Sequence, residues 1–471
     1  MNVGDFFNRL DLREQELKKA NLAGADLKGA NIRGTDLKEA NFSEAILSYA
    51  DLIEADLSEA NLSKAILTKA LLNLANLTAA NLTGANLREA NLVGAELQAA
   101  NLQQTSLIKA NLVGANLAGA NLAGANLSGA DLRGSQLSEA MLKGAVYSNR
   151  TIFPEGIDPK QQGAFLLAPG VSLLGLNFAG VDLTGADLKG ADLRKINLLN
   201  ASLVGADLDR ANLAGANLSG ADLREAMLNG VILQKAVYSN QTRFSSGIDP
   251  SLVGAYLLAP NISLVEVNLS KLDLSWANLT GVNFSGSDLR EINLKAVDLS
   301  NAILRKVDLR KANLERTDLR GADLSSALLQ DCNLSFADLR GADLTRANLS
   351  QTNLQEADLR GADLTNAILH DCNLSFADLR ETDLTKADLT NANLNNANLR
   401  KTELMRVNLE NATLTEVNLR GAILFQVNLK QANLESANLK DVEWNAVDLQ
   451  HTHLNENHRN QFVVGNSPQC E

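Results

Sequence analysis

Between Ala110 and Leu132 the chain reads Ala-Asn-Leu-Val-Gly-Ala-Asn-Leu-Ala-Gly and onward: a small residue, Asn or Asp, Leu, then two variable positions. Most of the sequence is this five-residue unit continued, varied or interrupted, so the period has to be read before any local element. Let Leu be position i, the small residue i−2 and Asn or Asp i−1. Leu side chains five residues apart would wander around an α-helix instead of lining one face, which argues against helix. Small-polar-Leu is instead a short alternation, with i−2 and i facing inward and i−1 outward. The two residues after Leu, often including Gly, must turn a corner. Short strands joined by corners coil into a β-solenoid, in which each coil buries its Leu only between neighbours.

A slower rhythm counts the strands per coil. Arg320, Arg340, Arg360, Arg380, Arg400 and Arg420 all sit at i+1, twenty residues apart, and Lys440 continues the series. The decapeptide Asp-Cys-Asn-Leu-Ser-Phe-Ala-Asp-Leu-Arg occurs at 331–340 and again at 371–380. Four five-residue units per turn imply a square cross-section. These repeats resemble the pentapeptide-repeat proteins, and the resemblance implies an all-β, right-handed quadrilateral β-helix. It also implies a range of roles: some members resemble duplex DNA and inhibit or protect DNA gyrase, and cyanobacterial members include regulators of differentiation or stress. This chain reads as most like the cyanobacterial members. Fold alone does not choose among such roles.

Taken in order, residues 1–11 read as an N-terminal cap, with Val3, Phe6, Phe7 and Leu10 at helical spacing. Three repeat blocks follow at 12–146, 171–237 and 262–454, about 20 coils in all and roughly 95 Å long if stacked straight at ~4.8 Å per coil. Inserts at 147–170 and 238–261 separate them and share the pattern Tyr-Ser-Asn-x-Thr-x-Phe-x-x-Gly-Ile-Asp-Pro. Asp158 and Asp249 look like N-caps with Pro159 and Pro250 in the first helical position, predicting a helix of one or two turns ending near Pro169 and Pro260. Each insert is expected to close one coil stack and start the next. The polar stretch 455–471 reads as a tail, with Phe462, Val463 and Val464 available to fold back.

Composition narrows the picture. No apolar run is long enough for a membrane span, and Met1–Leu10 lacks the pattern of a signal peptide. Cys332 and Cys372 share one inward column two coils apart, about 9.6 Å at ~4.8 Å per coil, beyond disulfide reach. These features together point to the cytoplasm. The net charge of −12 divides into about −3, −1 and −8 over residues 1–146, 147–261 and 262–471, which argues against direct binding to nucleic acid.

Candidate chemistry is confined to surface columns. The cations Arg320, Arg340, Arg360, Arg380, Arg400, Arg420 and Lys440 form one, with Asp318, Asp338, Asp358 and Asp378 beside the first four and Asn398, Asn418 and Asn438 beside the rest. A solvated ion-pair ladder and a partner-binding strip both fit, the second best at Arg400, Arg420 and Lys440. Trp276, Phe336 and Phe376 fall at i+2 in another column, with Arg316 and Glu356 between them. Exposed aromatics on a rigid face suit a protein partner; corner side chains packed on neighbouring coils are the alternative. His451, His453 and His458 lack the accompanying ligands of a metal site. No phosphate loop or nucleophile–base pair emerges, so the expectation is a non-enzymatic scaffold without cofactor that binds a protein partner. A gyrase-directed DNA mimic and a cyanobacterial regulator are the other readings.

Overall fold

The computed structural model describes residues 10–13, 15, 17–275 and 277–455. The expected N-terminal cap and C-terminal tail lie almost wholly outside the described residues.

The unit around Leu62 shows why the five-residue code works. Ala60, Leu62 and Ala65 are fully buried, as the inward assignment of i−2 and i requires. Leu62 N donates to Asn81 O at 2.7 Å, Lys64 N to Thr83 O at 2.9 Å and Asn61 N to Ala40 O at 2.9 Å, linking the coil to both neighbours. Ala65 N returns to Leu62 O at 3.0 Å and closes the corner. The fifth amide, Ser63 N, donates to the side-chain oxygen of Asn61 at 3.1 Å. All five N–H groups are thereby paired, which is the condition for a fully hydrogen-bonded coil. Asn or Asp recurs at i−1 because its short side chain caps the amide two residues on.

Lys64, at i+2, has φ 57°. This is the third residue of a turn that needs a positive φ, and the same sign recurs at i+2 in unit after unit. Parallel bridges join residues twenty apart, as in Asn41 to Asn61 to Asn81 to Asn101. Side-chain amides add ladders of their own: Asn293, Asn313, Asn333, Asn353, Asn373 and Asn393 each donate to the residue twenty before, starting from Asp273, at 2.9–3.4 Å.

Residues Met1–Ala255 form one compact unit with two coil stacks and two separate cores. Strand β1 (Val146–Ser148) pairs in parallel with β2 (Phe165–Leu167), Tyr147 opposite Leu166. Alternation sends Tyr147 and Leu166 into the first core and Val146, Phe165 and Leu167 into the second. The Phe165 ring meets Phe178 at 5.6 Å, so this two-stranded wall serves both stacks. The first coil of the second stack is seated on a side wall of the first, and the two are not collinear. Asn126 donates its amide to Asp182 O, and Asn126 and Ile108, outward by their place in the code, are only 1% and 4% exposed.

The helices expected in the inserts are absent; no α-helix occurs among the described residues. Asp158 does cap, accepting from Lys160 N at 3.0 Å, but a single turn follows. Gly163, at φ 82°, ends it at once: Ala164 N bonds Pro159 O and Gly163 N bonds Lys160 O, both at 3.0 Å, the pattern of a glycine-terminated helix end. The chain then enters β2 instead of running helically to Pro169. Asp249, Pro250 and Gly254 repeat the arrangement. Each insert also carries one extra residue, visible as bridges from Asp131 to Ile152 and from Asp222 to Arg243. Thr151 absorbs it: its Oγ1 donates to Leu127 O at 2.8 Å and accepts from Gly129 N and Ser148 N at 3.0 Å. Thr242 does the same in strand β3's (Val237–Ser239) insert, accepting from Gly220 N and Ser239 N and donating to Leu218 O.

The second unit, Tyr256–Glu471, opens with β4 (Tyr256–Leu258) and continues as bridged coils from Ser263. Its last coils widen into a three-stranded parallel sheet of β5 (Glu403–Met405), β6 (Ile423–Phe425) and β7 (Glu443–Asn445). Inward hydroxyls here are satisfied across coils: Thr317, Thr352 and Thr382 donate to Leu294, Leu329 and Leu359 carbonyls at 2.7–2.8 Å.

Leu344 has no exposed surface. Truncation by Leu344→Ala is expected to cost about 2–5 kcal/mol, and Leu344→Asp to open the surrounding coils by burying an unpaired charge. Limited proteolysis should then show new cuts near this coil; an unchanged digest would contradict the inward assignment.

Candidate functional site

The arginine column lies on the second unit, and its first four members are held by their own units. Because i−1 and i+1 both face outward, the carboxylate of an Asp-Leu-Arg triplet reaches the guanidinium two residues on. Arg320 donates Nε to Asp318 Oδ1 at 2.8 Å and Nη2 to Oδ2 at 2.5 Å. Arg340, Arg360 and Arg380 repeat the fork on Asp338, Asp358 and Asp378, with Nη2 at 2.6 Å from Oδ2. Each column step adds a weaker link, with Arg320, Arg340 and Arg360 Nε 3.6–3.7 Å from the Asp of the next coil. The bond from Arg320 holds the Asp318 carboxyl below its ordinary value. At Asp358 burial pushes upward, but the hydrogen bonds from Arg360 outweigh it and the carboxyl is again lowered.

Sequence reading missed a second column on the face two units away, where Arg290 and Arg310 fork onto Asp288 and Asp308 at 2.7 Å. The signal was the triplet itself: Asp-Leu-Arg gives the same pair at Arg133, Arg194 and Arg224. The fork is therefore a property of the triplet wherever it falls.

The far end of the column differs. Asn398, Asn418 and Asn438 still cap the backbone amides of Arg400, Arg420 and Lys440 at 3.2–3.3 Å. Asn keeps that bond and removes the counter-charge. Arg400 and Lys440 are exposed and make no ion pair among the described residues, and Arg420 has only a looser approach, 3.5 Å, to Asp441.

Trp276 lies outside the described residues. Phe336 and Phe376 do share one outward corner column and are 43% and 57% exposed. The Arg316 guanidinium lies 5.3 Å from the Phe336 ring, a cation–π contact. Both aromatics adopt positive φ, 59° and 61°. Cys332 and Cys372 are buried free thiols, both pushed up to about 12 by burial, and Cys332 donates to Leu309 O at 2.8 Å. Of the histidines near the C-terminal end of the repeats, His451 and His453 are exposed and His458 lies outside the described residues; no group of His, Cys, Asp and Glu placed to hold a metal occurs among the described residues.

Comparison with known proteins matches the family described as pentapeptide repeats at residues 7–43, 35–73, 75–112, 110–146, 170–200, 201–237, 261–295, 292–331, 332–371, 367–404 and 402–441. The two wide gaps fall on the inserts. Among solved structures, HetL of the cyanobacterium Nostoc sp. strain PCC 7120, a protein involved in heterocyst differentiation regulation, is 35% identical. That likeness covers 41% of this chain and 86% of HetL, with a TM-score of 0.32. Rfr23 of the cyanobacterium Cyanothece 51142 is 34% identical over 29% of this chain and 91% of its own, with a TM-score of 0.11. Full-length QnrB1, a plasmid-mediated fluoroquinolone resistance protein, is 20% identical over 43% of this chain and 97% of its own, with a TM-score of 0.19. No curated protein matches the chain.

A group whose folded-state pKa is lowered contributes stability above its unfolded value, and that contribution disappears as pH falls through the folded value. Asp318 and Asp358 are such groups. Thermal stability is therefore expected to hold steady at neutral pH and to fall below about pH 4, the unfolded carboxylate value. Asp318→Asn with Asp358→Asn, which keeps the backbone cap as Asn398 does, should reduce that acid sensitivity. Melting curves from pH 7 to strongly acid that keep the same slope would contradict the pairing.

Proposed function

Since the chain belongs to the pentapeptide-repeat family, we propose that it is a non-enzymatic scaffold in the cytoplasm that binds a protein partner through the surface columns of its third block. The observation that carries this reading is the placing of Phe336 and Phe376. The duplicated decapeptide sets each on a corner next to an Asp–Arg pair, Asp338–Arg340 and Asp378–Arg380. The same corner holds Lys, Glu, Arg or Asn at positive φ in many units, so what sets Phe336 and Phe376 apart is a large apolar ring left exposed there. Gly or Asn would suit the corner better. An exposed aromatic pair on a rigid face fits a partner that buries it. Charge adds direction: Arg400, Arg420 and Lys440 are a cationic end within residues 262–471, whose overall charge is near −8, and would receive an acidic segment of the partner.

The DNA-mimic reading is supported less well. The carboxylates aligned at Asp288, Asp308, Asp318, Asp338, Asp358 and Asp378 are each forked to an arginine, so these columns do not present a bare anionic strip.

Affinity capture with mass spectrometry would use the wild-type chain and two variants as baits. Phe336→Ser with Phe376→Ser, and Arg400→Gln with Arg420→Gln and Lys440→Gln, are each expected to lose the partner at least tenfold while melting within a degree or two of wild type. A partner retained by both variants would remove the third block from the reading.

A further inference from the structure

The seat of the second coil stack on the first leaves a cleft of about 500 Å3, within the range of small-ligand sites. One wall is a strip of consecutive i+1 and i+2 positions climbing one face of the first stack: Arg88, Ile108 and Ser128, with Lys109 and Gly129 beside them. Thr184–Asp187, a corner of the second stack, makes the opposite wall, and Ser148–Arg150 with Leu167–Pro169 of the insert makes the roof. The Arg88 guanidinium crosses toward the second stack, its Nη2 3.8 Å from where a Cβ on Gly185 would stand.

Three cations line this cleft and none is paired. Arg88, Lys109 and Arg150 make no ion pair among the described residues, and the one carboxylate in the lining, Asp187, is exposed. The concentration of charge is local. From Ala65 to Ala130 the chain has only Lys69, Arg88, Glu89, Glu96 and Lys109 as charged residues. Lys69 and Glu89 pair with each other at 3.4 Å, so both remaining cations of the stretch converge on the cleft. The Ser128 hydroxyl oxygen is buried without a hydrogen-bond partner, as is that of Ser219 at the same place beside the second insert, so it belongs to the repeated lid and the cations alone are particular to this cleft.

The second insert supplies an internal comparison. Its residues at the places of Arg88, Lys109 and Arg150 are Ala179, Asn200 and Gln241, although the Tyr-Ser-Asn-x-Thr lid and its Thr hydroxyl bonds are repeated. The lid architecture therefore does not need these charges. We infer that the cleft between the first two coil stacks binds a small, multiply charged oxyanion, with Arg88, Lys109 and Arg150 as its charge partners. Guanidinium groups suit such a ligand because they present paired N–H donors to two oxygens at once.

Isothermal titration of the full chain with sodium pyrophosphate at low ionic strength tests this. Saturable one-to-one binding is expected, weakened at least tenfold by Arg150→Gln, the residue the second insert carries naturally. Binding should be lost in the triple variant Arg88→Gln, Lys109→Gln, Arg150→Gln, and unchanged in Lys64→Gln, with circular dichroism showing all variants folded. Citrate run in parallel separates the sources: equal affinity assigns the cleft to polyanions including tricarboxylates, and pyrophosphate alone assigns it to phosphates. Absence of saturable binding at millimolar pyrophosphate, or affinity unchanged in the triple variant, overturns the inference.

Discussion

Every feature of this protein depends on hydrogen bonding between coils in a strict twenty-residue register. The amides at i−1, i and i+2 are committed to neighbouring coils, so a coil cannot gain or lose a residue without breaking three bonds per unit. The corner amide is tied to Leu and the last to the Asn or Asp side chain. This accounting explains the composition: a side-chain cap is required at i−1, a small residue at i−2 and Leu at i, or the coil leaves polar groups unpaired or space unfilled. Where one extra residue does enter, at the two inserts, a threonine hydroxyl with three bonds restores the balance.

The lattice was legible in the sequence because it is periodic: inward Leu, outward Asn and the twenty-residue step all appear in the bridges. What was not legible is whatever depends on a single residue or on distance. Asp158 and Asp249 read correctly as caps, yet Gly163 and Gly254, at positive φ, end the turn before a helix can form and well ahead of Pro169 and Pro260. The second arginine column was hidden because Arg290 and Arg310 are followed in phase by Gln330 and Ser350, so the series is short. Ile108 and Asn126 carry no local sign of burial. They sit at outward places in ordinary units, and only the second stack seated on them changes their environment.

The same accounting restricts where function can be written. Core packing claims i−2 and i, and the backbone claims i−1, which leaves i+1 and i+2. The arginine columns are at i+1, Phe336 and Phe376 at i+2, and Arg88 and Lys109 at one or the other. An uninterrupted face can display these side chains only as flat columns, which suit a macromolecular partner. A concave site needs a second wall, and five-residue units cannot make one by themselves.

The first insert provides that wall by turning the chain so that a new stack begins on the side of the old one. The bond from Asn126 to Asp182 and the shared β1–β2 pair hold the two walls at a fixed spacing, so the cleft is formed before any ligand arrives and little ordering is left for binding to supply. Since the second insert repeats the lid without Arg150, Lys109 or Arg88, geometry and charge separate within one molecule. The backbone makes the junction, and three side chains at permissive positions decide what it can hold.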